Sequence, residues 1–128
     1  MIATSIGQSK KLIELGLNPE TADSHTEIID INGDMVSQLM EGHGDTTKRN
    51  FGTLCWSLNG LFTLMPEQIK ERSEYFLKIK RGLDKWEVLY SDRHDSTIYG
   101  IYGDTPLDAA YNMVVWLLEK GYIKTEKK

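Results

Sequence analysis

The stretch TPLDAAYNMVVWLLEKG, residues 105–121, decides the fold. Thr105 has the hydroxyl that caps a helix, Pro106 suits the first helical position, and Asp108 stands where a capping box takes an acid. Gly121 follows the last periodic residue, where a helix commonly leaves through a left-handed glycine. Between Ala109 and Leu118 only Asn112 is polar. A helix apolar on nearly every side is covered on more than one face. The segment is therefore predicted to lie on a sheet and also to meet another helix or a second subunit.

Upstream of that helix, three segments read as strands. Tyr75, Leu77 and Ile79 alternate with Phe76, Lys78 and Lys80; Trp86 to Tyr90 alternates in the same way; Thr97 to Tyr102 is rich in β-branched and aromatic residues. Their connections, Arg81 to Asp84 and Asp92 to Ser96, are of hairpin length, which predicts an antiparallel meander. Before it, Ser57 can cap a helix over Leu58 to Met65, with Leu58, Leu61, Phe62 and Met65 at helical spacing and Pro66 either ending it or starting a further turn through Ile69. The fold class is α+β: a three-stranded antiparallel meander packed by a long C-terminal helix and a shorter preceding one, in helix–β–β–β–helix order.

The N-terminal half is less regular. Ser5 to Leu15 reads as a short helix stopped by Gly16, and Pro19 opens one further turn. Glu27 to Ile31, Asn32-Gly33 and Asp34 to Val36 suggest a hairpin, and Glu41 to Thr47 a loop. A single domain over 1–128 is expected, with a helical cap (1–22), a hairpin and loop (23–52), the helix–sheet core (53–122) and a tail (123–128).

At 128 residues the chain has the length of one domain, with 40% hydrophobic and 27% charged residues, which is ordinary globular usage. Its one cysteine forms no internal disulfide. The N-terminus has no apolar core for a signal peptide, and the longest apolar run, Met113 to Leu118, is far short of a membrane span. A cytoplasmic location off the membrane is expected. The net charge of −4 arises entirely before residue 66, where four basic side chains face eight acidic ones. No basic stripe of the kind nucleic-acid binders carry is evident.

Motifs with chemistry are few. Asp30, Asn32, Asp34 and Glu41 fall at positions 1, 3, 5 and 12 of a calcium loop, but position 6 is Met35 rather than glycine, so a polar hairpin turn is the expected reading. His25, His43 and His94 have no second ligand at metal-binding spacing and are expected as exposed loop histidines. Cys55 is expected as a buried small hydrophobe, with no activating base nearby in the sequence. Glycine-rich phosphate loops are lacking. No cofactor and no enzymatic activity are expected. The order helix–strand–strand–strand–helix is that of double-stranded-RNA-binding domains, yet the last helix opens with Asp104 and Asp108, acidic where phosphate would approach. A second nucleic-acid reading places Phe76, Lys78, Lys80 and Arg81 on or near one strand face, a minimal stacking platform.

Two stretches carry a resemblance. Cys55 to Pro66 resembles a W-S-L-x-x-L-x-x-L-x-P segment, and Gly103 to Leu118 a G-D-T-P-x-x-A-A-x-x-M-x-x-W-L segment. Together they are similar to small uncharacterised proteins encoded by phages and prophages of gut bacteria. The resemblance implies a mobile-element setting and a compact helix–sheet architecture, and no particular activity. The expected function is that of a non-enzymatic accessory protein working through protein–protein contact or self-association.

Overall fold

The computed structural model describes residues 2–125. Helix α1 (Ile6–Glu14) begins at a reciprocal cap: the Gln8 amide N–H donates to Ser5 Oγ at 3.1 Å, while Gln8 Oε1 accepts from the Ser5 N–H at 2.9 Å. One 3-10 turn, Pro19–Thr21, leads into β1 (Ser24–Ile31), which pairs through eight successive residues with β2 (Asp34–Glu41). Asn32 and Gly33 make the turn with φ of 53° and 90°, the two positive values that a tight hairpin requires. Strand β3 (Phe51–Cys55) lies on the other side of β1, giving an antiparallel sheet of order β2-β1-β3.

Ser57 caps α2 (Leu58–Leu64). A four-stranded antiparallel sheet follows in the order β4 (Gln68–Lys70), β5 (Glu74–Arg81), β6 (Trp86–Ser91) and β7 (Thr97–Gly103). Helix α3 (Pro106–Lys120) starts at the Thr105 cap and ends at Gly121 with φ 81°.

The class is α+β, but the three-stranded meander needs correction. The meander has a fourth strand, because Met65 leaves helical geometry before Pro66 and the chain runs extended into β4. Three residues with one apolar side chain, Ile69, show no alternation that would mark a strand. The Asn32-Gly33 hairpin forms as expected, with longer strands than the sequence suggests, and β3 joins it in a second sheet across the loop 42–50. The tail is described only to Thr125; its residues 126–128 lie outside the described residues.

One core unites the elements. Trp56, Leu61, Val88, Tyr90, Met113, Val114 and Leu117 are all fully buried. Helix α3 packs against β6 and β7 on one side and α2 on the other, which is why its sequence is apolar nearly all round. Trp116 stacks on Tyr99 with centroids 4.2 Å apart and also meets Tyr122. The N-terminal segment is tied in by polar contacts: Thr4 N–H donates to the Trp56 carbonyl, the Trp56 N–H donates to Thr4 Oγ1, and Gln8 Nε2 donates to Asp108. Among the described residues no helix is long and apolar enough to cross a membrane.

Candidate interaction surface

The β1–β2 hairpin stands apart from the core. Its seven apolar side chains are Ile28, Ile29, Ile31, Met35, Val36, Leu39 and Met40, and none of them belongs to the core or packs against it. Met35 is 71% exposed and Ile31 50%, with Ile28 and Val36 exposed beside them. Scattered single apolar residues are ordinary at a surface, whereas a contiguous apolar arm marks a contact surface. Alternation puts Ile28, Met35 and Leu39 on one face and Ile29, Ile31, Val36 and Met40 on the other, so both faces of the arm are apolar. On the first face a cleft of about 320 Å³ opens between Ile28, Met35, Arg49 and Asn50.

The charge of this region is one-sided. Between Lys11 and Lys48 the chain carries eight carboxylates and no lysine or arginine. Six of the eight, Asp23, Glu27, Asp30, Asp34, Glu41 and Asp45, lie on the hairpin or directly beside it. The arm therefore presents apolar side chains among mostly acidic neighbours, with Arg49 lining the cleft beside Ile28 and Met35.

Polar contacts, not apolar burial, hold the arm's root. Asp23 Oδ1 accepts from the Ser57 N–H at 2.8 Å, Asp23 Oδ2 accepts from the Ser57 hydroxyl in a very short bond, and Ser57 Oγ in turn accepts from the Gly60 N–H at 3.1 Å. This joins the start of β1 to the start of α2. Glycine at position 60 leaves room for the Asp23 carboxylate, from which a Cβ would sit 2.9 Å. Two residues on, His25 is buried, against the expectation of an exposed loop histidine. Its Nδ1 donates to the Gly42 carbonyl at 2.8 Å and its Nε2 to the Glu27 carboxylate at 2.7 Å. Both ring nitrogens face acceptors, an arrangement fully satisfied only by the imidazolium. The hydrogen bond to Glu27 accordingly raises the His25 pKa, with the Gly42 carbonyl adding to it and burial opposing it. Phe51 stacks on the ring at 5.8 Å, and Gly44, with φ 74°, leaves room for it where a Cβ would approach within 2.7 Å.

These groups do not form a nucleophile–base relay. The Ser57 hydroxyl is engaged with Asp23, and both His25 nitrogens are engaged with Glu27 and Gly42. A polar cleft of about 320 Å³ lies beside them, lined by Asp23, Ser24, Glu41, Gly42 and Ser57. The calcium-loop spacing also fails geometrically. Asp34 sits opposite Ile31 at the tip, while Glu41 sits opposite Ser24 at the root, about 23 Å away along the strand at about 3.3 Å per residue. Asp30 Oδ1 instead accepts from the Gly33 N–H and closes the turn. His43 is half-buried with Nε2 donating to the Pro19 carbonyl, and His94 is exposed in the β6–β7 turn. Among the described residues no three His, Cys, Asp or Glu side chains gather to hold a metal ion. Cys55 is buried, and burial raises its pKa.

Of the four strand residues singled out from the sequence, three share a face. Phe76, Lys78 and Lys80 point away from α3, with Tyr102 of β7 on the same side and 57% exposed. Arg81 is a correction: it lies on the opposite face, its guanidinium 5.6 Å from the centroid of the Trp86 ring. The parity of the strand puts it there, one residue on from Lys80. Lys78 is paired with Asp95 at 3.2 Å, and Lys80 sits directly opposite Glu87, so acids accompany the cations of this face.

The hairpin surface escaped the sequence reading, although a signal was present: apolar residues at both parities of two strands, inside a long run without lysine or arginine. No protein-family model, characterised protein or solved structure matches this chain.

Proposed function

We propose that this chain is a non-enzymatic, cytoplasmic accessory protein of a phage or mobile element, acting through protein–protein contact made by the β1–β2 hairpin. The observation that carries this reading is the hairpin's seven apolar side chains, which add nothing to the core. Helix α3 is a weaker candidate contact, because the sheet and α2 already cover it. The genomic setting follows the resemblance of the Cys55–Pro66 and Gly103–Leu118 segments.

The test is a tagged pull-down from host lysate, with and without nuclease, comparing the wild type with Met35→Ser/Val36→Ser, alongside light scattering. A protein that survives nuclease and is lost in the double variant supports the reading, as does an oligomer that the variant dissolves. A strict monomer that recovers no partner overturns it. Recovery abolished by nuclease, together with a salt-dependent mobility shift lost in Lys78→Glu/Lys80→Glu, would move the function to the Phe76–Lys80 face and nucleic acid.

A further inference from the structure

Resting on that reading, we infer that β2 receives an added strand: an extended segment of another protein, apolar at alternate positions and carrying lysine or arginine at its ends. Three observations converge. The first is the edge itself. β2 is the outermost strand of its sheet, and its eight pairs with β1 run without a bulge. Ile31 and Asp34 flank a two-residue turn and exchange both hydrogen bonds, so Asp34, Val36, Gln38 and Met40 bond to β1. The Gly42 N–H donating to the Asp23 carbonyl continues the same alternation. Met35, Ser37, Leu39 and Glu41 therefore direct their N–H and C=O groups outward, a vacant half-ladder of four residues.

The second is the lack of protection. Exposed edges are ordinarily blunted by lysine, proline or a bulge, and β2 has none of these. The other edges are poorer templates: β4 has three residues, β3 has five including Gly52, and the Tyr102 carbonyl of β7 already accepts from Asn112 Nδ2.

The third is charge. Asp34 and Glu41 mark the two ends of β2, and no lysine or arginine lies within the run from residue 12 to residue 47, Arg49 beside Met35 being the nearest such cation along the chain after Lys48. An added strand with cationic ends would meet both acids. A second copy of β2 is the poorer occupant, since it would bring a strand with acids at both ends against another of the same charge. Main-chain hydrogen bonds would supply affinity, and the apolar residues on both faces of the arm would select alternate side chains.

The experiment titrates the full chain with fluorescent ten-residue peptides whose centre alternates Val and Thr. One carries two lysines at each end, one carries two glutamates at each end, and one is the lysine peptide N-methylated at alternate residues. The lysine peptide is expected to bind about tenfold or more tightly than the glutamate peptide, and more weakly in high salt. N-methylation should abolish binding by blocking the ladder. Ser37→Pro should abolish it too while preserving the fold, because the lost N–H points away from β1. No binding of the lysine peptide, or equal binding of all three, overturns the inference. A lysate partner lost in Met35→Ser/Val36→Ser but retained in Ser37→Pro would keep the hairpin contact and overturn strand addition alone.

Discussion

Replacing Asp23 by alanine removes the acceptor of two hydrogen bonds from Ser57, one from its N–H and one from its hydroxyl. Hydrogen bonds to charged groups contribute about 1.5–3 kcal/mol each, and the half-buried position of Asp23 beside an open cleft places each at or below the lower end. Water can reach the freed groups, and Ser57 still accepts from the Gly60 N–H, so the helix cap survives. The expected cost is about 2–3 kcal/mol, measured by urea unfolding followed through tryptophan fluorescence. Asp23→Asn, which retains one acceptor, should cost about half as much. The sharper test is Gly60. In the wild type Gly60→Ala should destabilise, because the new Cβ would crowd the carboxylate at 2.9 Å. In the Asp23→Ala background the obstruction is gone, and alanine's helical preference over glycine, up to about 1 kcal/mol, should make the same change neutral or stabilising. Additive effects of the two substitutions, or an Asp23→Ala cost below about 0.5 kcal/mol, would refute the account of this joint.

Other outcomes follow from the same geometry. The folded-state pKa of His25 is raised, so its pairing contributes fully below the ordinary histidine pKa of about 6.5 and is lost as pH rises through the folded value. Melting temperature should therefore fall on going from pH 6 into the alkaline range, Glu27→Gln should flatten that fall, and NMR titration of the His25 ring should report the shift directly. Gly103→Ala should cost about 3 kcal/mol, the upper end of overpacking, because its Cβ would lie 2.8 Å from the Ala109 Cα in backbone that cannot swing aside; thermal melts will show it. Met35→Ser/Val36→Ser should change unfolding free energy by no more than about 0.5 kcal/mol, as expected of surface positions, and a larger loss would mean that the arm supports the core after all.

The parts of the fold that were legible in the sequence are those with local causes. The α3 helix announces itself through Thr105, Pro106 and Gly121, which lie within or beside it, and β5 through its alternation. Ser57 marks α2, and Asn32-Gly33 marks a turn that needs two positive φ values. What remained hidden was set across the chain. Gly52 argues against a strand when read locally, yet it is required in β3 because Thr26 Oγ1 of β1 occupies the space of its Cβ. His25 is buried by Phe51 and Gly44, both far along the chain. The Asp23–Ser57 joint spans 34 residues. Arg81 is the exception, since strand parity alone separates it from Lys78 and Lys80.

The two ways in which this chain uses apolar residues bear on what the hairpin is for. Outside residues 23–50 most apolar side chains interlock, although Ile2 and Leu83 are exposed singly: α3 is covered by β6, β7 and α2, and Trp56 is fully buried while donating through Nε1 to Thr21. Within residues 23–50 the same residue types are left outside the core, and the segment is fixed by Asp23, His25 and Glu27 at its root. If folding alone had shaped the arm, polar residues at Ile31, Met35 and Val36 would serve equally well, because burial there contributes little to stability. Exposed apolar residues on an unprotected strand edge also carry a standing risk of aggregation. Like net charge on two copies of β2 would oppose their pairing, whereas a cationic strand would meet no such repulsion. In the proposed contact, apolar exposure would favour association and the acids at the ends of β2 would favour a cationic partner.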